Sequence, residues 1–162
     1  MRNMQQNHKG QVTSTPTYSD ASIDTLLYMI QEEKLAGDLY QNFYEQTGLT
    51  VFNRIAKAED RHMSALVTQA EKIGIDVDAL LSLPEGQFAN TELQVMYDEL
   101  LATGSVSADA ALGVGRLVEQ ADIADLDDAM IAVVGTRLEK VYGSLLAGSQ
   151  QHFDAFDFWL GL

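Results

Sequence analysis

The chain has 162 residues, a formal net charge of −14 and no cysteine. Its length suits one domain with a buried core, and the missing cysteines exclude disulfides, thiolate metal ligands and cysteine nucleophiles. So acidic a chain is poorly suited to neutralise phosphates, which argues against nucleic-acid binding. The charge is typical of a self-repelling soluble surface. Alternatively, the negative charge could attract cations to an acidic opening. Composition alone does not distinguish these two interpretations.

The apolar segments predict neither a membrane protein nor an exported one. No apolar run approaches the roughly 20 residues that span a bilayer. The first residues lack the apolar segment of a signal peptide, so we expect a cytoplasmic protein with no membrane partner. Residues 1–20 are polar and rich in Gln, Asn, Ser and Thr, which predicts a flexible tail. Residues 21–162 predict one helical domain.

The first predicted helix follows directly after the polar tail. Apolar residues such as Leu26 and Ile30 recur there at helical spacing. Asp20 or Ser22 is the predicted N-cap, and Gly48 is predicted to end the helix and start a turn.

A second helix is predicted over residues 51–73. Residues 74–90 form a connection that carries Pro84, and a shorter helix follows over residues 91–101. This long segment predicts a crossover between two helical hairpins, because parallel helices need a long return path.

Two more long helices complete a predicted four-helix bundle. The third starts near Ser107 and has a candidate bend or break around Asp125. The fourth covers residues 136–159 and follows a turn at Gly135. Four aromatic residues on the apolar faces are predicted to lie in the core: Tyr40, Tyr44, Tyr142 and Trp159.

Glu59 and His62 are the first candidate metal ligands. They lie three residues apart on one helix, so one face presents both to the same ion. The turn near Gly48 brings Glu33, on the first helix, to within about one helical turn of His62. Glu32 beside it is a candidate to replace or assist Glu33, because periodicity favours Glu33 only slightly. Charged groups on an apolar face cost stability unless they are paired, and a bound cation would supply that pairing.

A second, imperfect copy of this arrangement follows on the other hairpin. A turn at Gly135 places Glu119 opposite His152 and Asp122 opposite Ser149. Each residue alone has a simpler explanation, such as a boundary histidine or a surface charge, but the joint pattern favours a metal site. Carboxylates with a few imidazoles suit iron or manganese and also accommodate zinc.

This set resembles the ferritin-like superfamily of di-iron carboxylate bundles over roughly residues 22–160. In that superfamily the first helix carries a Glu, a small residue three positions later and a Tyr seven positions later. Here these are Glu33, Ala36 and Tyr40, which favours Glu33 over Glu32. Four strings are similar to a ferritin-like domain family of bacteria and archaea that has no assigned function: residues 32–36, 59–63, 122–126 and 148–152.

The resemblance implies a ferritin-like bundle of two antiparallel hairpins, joined by a long crossover that carries a short extra helix. It implies two ions, iron first and manganese or zinc as alternatives, held by six ligands: Glu33, Glu59, His62, Glu119, Asp122 and His152. Ser149 departs from the family, which has a carboxylate there. Asp122 on the facing helix is a candidate for supplying the missing oxygen, and without it one metal position is expected to be weak. The cysteine-ligated iron domain of rubrerythrins is absent, so electrons would come from an external donor or from the substrate.

Three functions are compatible with these residues. The first is an oxidoreductase of peroxidase or oxidase type that uses O₂ or peroxide, the second is iron binding and storage, and the third is a non-catalytic helical binding module. Iron storage would require assembly into a cage, whereas a homodimer is compatible with the other two functions. The sequence leaves open whether the protein is an enzyme.

Overall fold

The computed structural model describes residues 17–162, and no strand occurs among them, so the predicted all-α class is confirmed. Most of the predicted tail, residues 1–16, lies outside the described part of the chain. Residues 17–162 contain six helices: α1 (Asp20–Thr47), α2 (Thr50–Lys72), α3 (Asp78–Leu81), α4 (Thr91–Gly104), α5 (Ala108–Ile131) and α6 (Arg137–Leu160). None of them is long and apolar enough to span a bilayer.

Short polar side chains cap α1, α4, α5 and α6, whereas α2 begins after Leu49 without a side-chain cap. Ser19 caps α1, where its Oγ accepts a hydrogen bond from the Ser22 backbone N–H at 3.1 Å. The predicted cap at Asp20 or Ser22 is therefore wrong by one to three residues. Gly48 ends α1 with a φ of 69°, a left-handed conformation that favours glycine. A break near Asp125 does not occur, because α5 continues without interruption to Ile131.

The bundle consists of two hairpins, α1–α2 and α5–α6. Helices α1 and α5 are antiparallel, because Tyr40 contacts Glu119 while Tyr28, earlier on α1, shares a pocket with Asp125, later on α5. Hence α2 and α5 are parallel, and their long connection carries α3 and α4. The four-residue α3 was not predicted. Helix α4 packs against α1 and α5.

Two apolar clusters lie at the two ends of the bundle. One is built around Tyr40, Phe52 and Phe156, and the other around Leu26, Leu66 and Tyr142. Tyr44 is half-buried against the first cluster. The prediction of a core position is wrong for Trp159, which is 42% exposed because the last turn of α6 runs beyond the core. Between the two clusters lies a layer of buried carboxylates and imidazoles.

Candidate metal centre

Four helices position the predicted ligands in this polar layer. Glu33 lies on α1, Glu59 and His62 on α2, Glu119 and Asp122 on α5, and His152 on α6. The carboxylates are almost completely buried, with Glu59 1% exposed and Asp122, the most exposed of the four, 6% exposed. The structure therefore brings all six residues into the same interior layer.

Glu59 lies at the middle of the group, between the two imidazoles. Its Oε2 is 2.7 Å from Nδ1 of His62, and its Oε1 is 2.7 Å from Nδ1 of His152. One potential ligand atom from each of these three residues lies within 4.8 Å of the other two. The two rings are stacked, with centroids 5.4 Å apart and planes inclined by 26°.

One further carboxylate flanks each imidazole. Oε2 of Glu33 lies 3.3 Å from Nδ1 of His62, and Oε2 of Glu119 lies 3.4 Å from Nδ1 of His152. The layer therefore has an approximate symmetry. Each imidazole nitrogen faces one oxygen of the central Glu59 and one oxygen of an outer glutamate.

The polar atoms at the centre of this layer have no hydrogen-bond partner. Both oxygens of Glu59 and Nδ1 of both histidines are buried and unpartnered, although the N···O distances are 2.7 Å, because the directions of their bonds do not suit a hydrogen bond. Two ligand atoms about 2.1 Å from one ion and at right angles to each other lie about 3 Å apart. Close approach without hydrogen-bond direction is the geometry expected of atoms that share a cation.

The protonation of the layer follows from its contacts. Burial opposes ionisation of Glu59, but the adjacent His152 and His62 outweigh it and hold the pKa of Glu59 at about 2. Burial would lower the pKa of both imidazoles. Their glutamate neighbours raise it instead, to about 10 for His62 and about 9 for His152. Without a bound cation, both imidazoles are therefore protonated at neutral pH.

The outer carboxylates hold protons more tightly than usual. Burial and the charge of Glu59 raise the pKa of Glu119 to about 8. Burial raises the pKa of Asp122 to about 6, even though the Ser149 hydroxyl opposes this shift. Burial likewise raises the pKa of Glu33 well above its usual range. The layer thus holds several protons that a cation would have to displace.

Hydroxyl groups orient two of the α5 carboxylates. The phenol of Tyr40 donates a hydrogen bond to Oε1 of Glu119 at 2.6 Å. The hydroxyl of Ser149, which is fully buried, donates to Oδ2 of Asp122 at 2.5 Å. Ser149 therefore holds the facing carboxylate in place but offers no anionic oxygen of its own.

Two residues near the centre were not predicted as part of the site. Glu32, set aside in favour of Glu33, is itself 6% exposed. A cavity of about 10 Å³, the size of one water, has both glutamates among its lining: Glu32, Glu33, Ala36, Glu59, Val118, Glu119 and Asp122. Gly148 is the second residue, because a Cβ there would lie 2.6 Å from Nε2 of His62. The burial of Glu32 beside Glu33 could be recognised only once the helices that cover α1 were known. No sequence signal identifies Gly148.

Known proteins match almost the whole of the described chain. The family model of an uncharacterized protein domain, DUF2202, matches residues 22–160. The uncharacterized protein MJ0754 of Methanocaldococcus jannaschii is 35% identical over 138 residues, which cover 85% of this chain and 74% of the relative. A crystal structure of the hypothetical protein MJ0754 from Methanococcus jannaschii matches with a TM-score of 0.86 and 31% identity, over 94% of this chain and 86% of that one.

Proposed function

The chain belongs to the DUF2202 domain family, and we propose that it is a ferritin-like protein with a dinuclear metal centre that performs redox chemistry with O₂ or peroxide. The observation that carries the proposal is the convergence of Glu59, His62 and His152, whose ligand atoms approach closely without hydrogen bonds. Iron is the metal we propose, and manganese or zinc are compatible with the same oxygen and nitrogen ligands.

The approximate symmetry of the layer supports two metal positions. Glu59 has one oxygen on each side and would contribute to both positions. Glu33 and His62 would complete one position, and Glu119 and His152 the other. Asp122 adjoins the layer and is the sixth proposed ligand. Two bound iron ions would supply one-electron redox steps close to each other.

The protein's own groups prepare this chemistry in three ways. Burial of the carboxylates excludes bulk water from the layer. The hydrogen bond from Tyr40 fixes the orientation of Glu119, and the hydrogen bond from Ser149 fixes that of Asp122. These donors leave the second oxygen of each carboxylate available to an ion.

Metal loading followed by peroxide addition tests the proposal. We expect close to two Fe²⁺ ions per chain after anaerobic loading, and a fast absorbance change with loss of peroxide when peroxide is added. The control is an equal amount of free Fe²⁺ in the same buffer. Peroxide loss no faster than in that control would contradict the redox function. Absence of bound metal after loading would contradict the centre itself. A sizing column run on the same sample separates iron storage in a large cage from a monomer or homodimer.

The affinity for metal should rise steeply with pH. His62 and His152 have pKa values of about 10 and 9, and that of Glu119 is about 8, so all three are protonated at pH 7 without metal. An ion binds only their unprotonated forms, so its binding releases protons, and each proton released raises the affinity about tenfold per pH unit. We expect Fe²⁺ or Zn²⁺ to bind more than about a hundredfold tighter at pH 8 than at pH 6, because even one released proton gives that difference over two pH units.

Calorimetric titration at the two pH values, in buffers of different ionisation enthalpy, measures both the affinity and the number of protons released. The exposed residue Asp127 offers a matched control, because Asp127→Asn removes a carboxylate from α5 without altering the layer. The same pH dependence is expected for this variant. An affinity that does not change between pH 6 and pH 8 would exclude binding through the histidines.

A further inference from the structure

A small apolar pocket lies between α4, the helix of the crossover, and the bundle helices α1 and α5. On α4, Met96 and Leu100 are four residues apart, so they lie on one side of the helix. On α5, Leu117 and Ala121 have the same spacing. These four side chains line the pocket together with Leu35 of α1. The three helices therefore enclose an apolar space on one side of the bundle.

The pocket is open at its rim and buried at its floor. Leu117 is 57% exposed and Met96 is 39% exposed, so solvent reaches the rim from both α5 and α4. Leu35 and Val118 form the floor and are only 2% and 7% exposed. A small molecule can therefore enter from the surface and lose its contact with water as it reaches the floor.

Two side chains separate this pocket from the metal centre. Glu32 and Val118 line the pocket, and both also line the inner cavity at the polar layer. The proposed ligands Glu33, Glu59 and Glu119 line that same inner cavity. A molecule bound in the pocket would therefore lie next to the metal centre without displacing any of its ligands.

The volume of the pocket, about 210 Å³, suits a single small ring. An apolar cavity of about 150 Å³ inside a protein binds benzene, whereas sites for drug-sized ligands have volumes of roughly 300 Å³ or more. The pocket therefore accommodates a molecule of about six to ten non-hydrogen atoms. It is too small for a helix or a strand of a partner protein.

The chemistry of the lining favours an uncharged molecule. Glu32 is the only charged residue among those that line the pocket: Glu32, Leu35, Met96, Leu100, Leu117, Val118 and Ala121. Neither Lys nor Arg lines it, so a bound anion would have no counter-ion. A bound ammonium group would have Glu32 alone, and a single ion pair out of water does not offset the cost of desolvation unless further hydrogen bonds form.

We propose that this pocket binds a small, uncharged, largely apolar molecule and holds it beside the metal centre. Binding itself needs no metal, because no residue that lines the pocket is among the six proposed ligands. Only the contact between the bound molecule and the ions rests on the proposed function.

A titration with p-cresol, followed by ligand-detected NMR, tests the pocket. This compound is a single ring that is uncharged at pH 7, because a phenol has a pKa of about 10. We expect a dissociation constant of about 1 mM or lower, with or without chelator. Benzoate and benzylamine have a similar size and opposite charges, and each should bind about tenfold more weakly or less. Binding of either as tight as that of p-cresol would contradict an uncharged ligand.

Larger side chains at the rim should block the pocket from either wall. Ala121→Phe on α5 and Met96→Trp on α4 should each weaken p-cresol binding by about tenfold or more, because the new ring occupies the space of the ligand. Ala124→Phe is the matched control, since Ala124 is exposed on α5 outside the pocket lining. Circular dichroism checks that each variant is folded, and the two walls provide independent tests. Wild-type affinity in both blocking variants would overturn the proposal.

Two further measurements test the surroundings of the bound molecule. With Mn²⁺ at the metal centre, the NMR lines of bound p-cresol should broaden, and equal broadening with Ala121→Phe would show that the molecule is not held beside the ions. A protein that binds p-cresol but no metal would contradict the metal centre and leave the pocket in place. On a sizing column, a wild-type dimer that Ala121→Phe dissociates would show that a second copy of the chain covers the pocket, and would overturn the proposal.

Discussion

Replacement of His62 with alanine should remove most of the metal that the protein binds. Its Nδ1 is 2.7 Å from Glu59 and 3.3 Å from Glu33, so this change takes away the only nitrogen of one proposed position. We expect the affinity of that position to fall by more than about a hundredfold, beyond the 10- to 100-fold typical of residues that only orient a ligand. Metal analysis after dialysis measures the loss directly.

The same variant should also melt at a lower temperature when metal is present. An ion at 1,000 times its dissociation constant contributes about 4.1 kcal/mol to the free energy of unfolding. For a chain of this size, the loss of that contribution corresponds to a decrease of about 10 °C in melting temperature. The difference between wild type and variant should shrink after a chelator has removed the metal. Arg61→Ala, an exposed neighbour on α2, is the matched control. An equal decrease in melting temperature with and without chelator would show that His62 contributes only to packing.

Gly148→Ala should weaken metal binding almost as strongly without replacing a ligand. The added Cβ would lie 2.6 Å from Nε2 and 2.8 Å from Cε1 of His62, distances that force the ring to move. The ring turns more easily than the backbone shifts, so the expected result is a folded protein whose Nδ1 no longer faces Glu59. We expect a decrease in Fe²⁺ affinity of about 10- to 100-fold, as for other residues that orient a ligand.

Gly143→Ala on the same helix is the matched control for this change. There a Cβ would meet only Cε of Met130, at an ordinary 3.6 Å. Alanine in a helix interior is favoured over glycine by roughly 0.5–1 kcal/mol, so this variant should melt slightly higher and bind metal as the wild type does. Calorimetric titration and thermal melting separate the two effects. If Gly148→Ala binds Fe²⁺ as tightly as Gly143→Ala does, the position of the His62 ring does not depend on Gly148.

The helices could be predicted because their ends carry strong local signals. Gly48 at the end of α1 and Ser107 at the start of α5 act through their own backbone and side chain. The four-residue α3 has no such signal, since one turn contains too few residues for periodicity to appear. The exposed position of Trp159 depends on where the neighbouring helices end, which the α6 sequence does not contain.

The sequence was sufficient to predict which ligands face each other across the bundle. It was not sufficient to predict how much of the surface of α1 is buried. Nearly equal numbers of residues separate Glu119 and His152 from the turn at Gly135, which places them opposite each other, and these two side chains are in contact. Glu32 and Glu33 are adjacent, and a helix packed on one side would bury only one of them. Both are buried here because α2 covers α1 on one side and α4 and α5 cover it on another.

The polar layer has a consequence for folding cooperativity. It separates the cluster around Phe52 from the cluster around Leu66, so the two ends of the bundle share little apolar contact. Cooperative unfolding of a small domain depends on contacts that join its parts. Ligands from α1, α2, α5 and α6 held by common ions would act as a cross-link between the ends. Metal would then decide whether the bundle opens as one unit or as two.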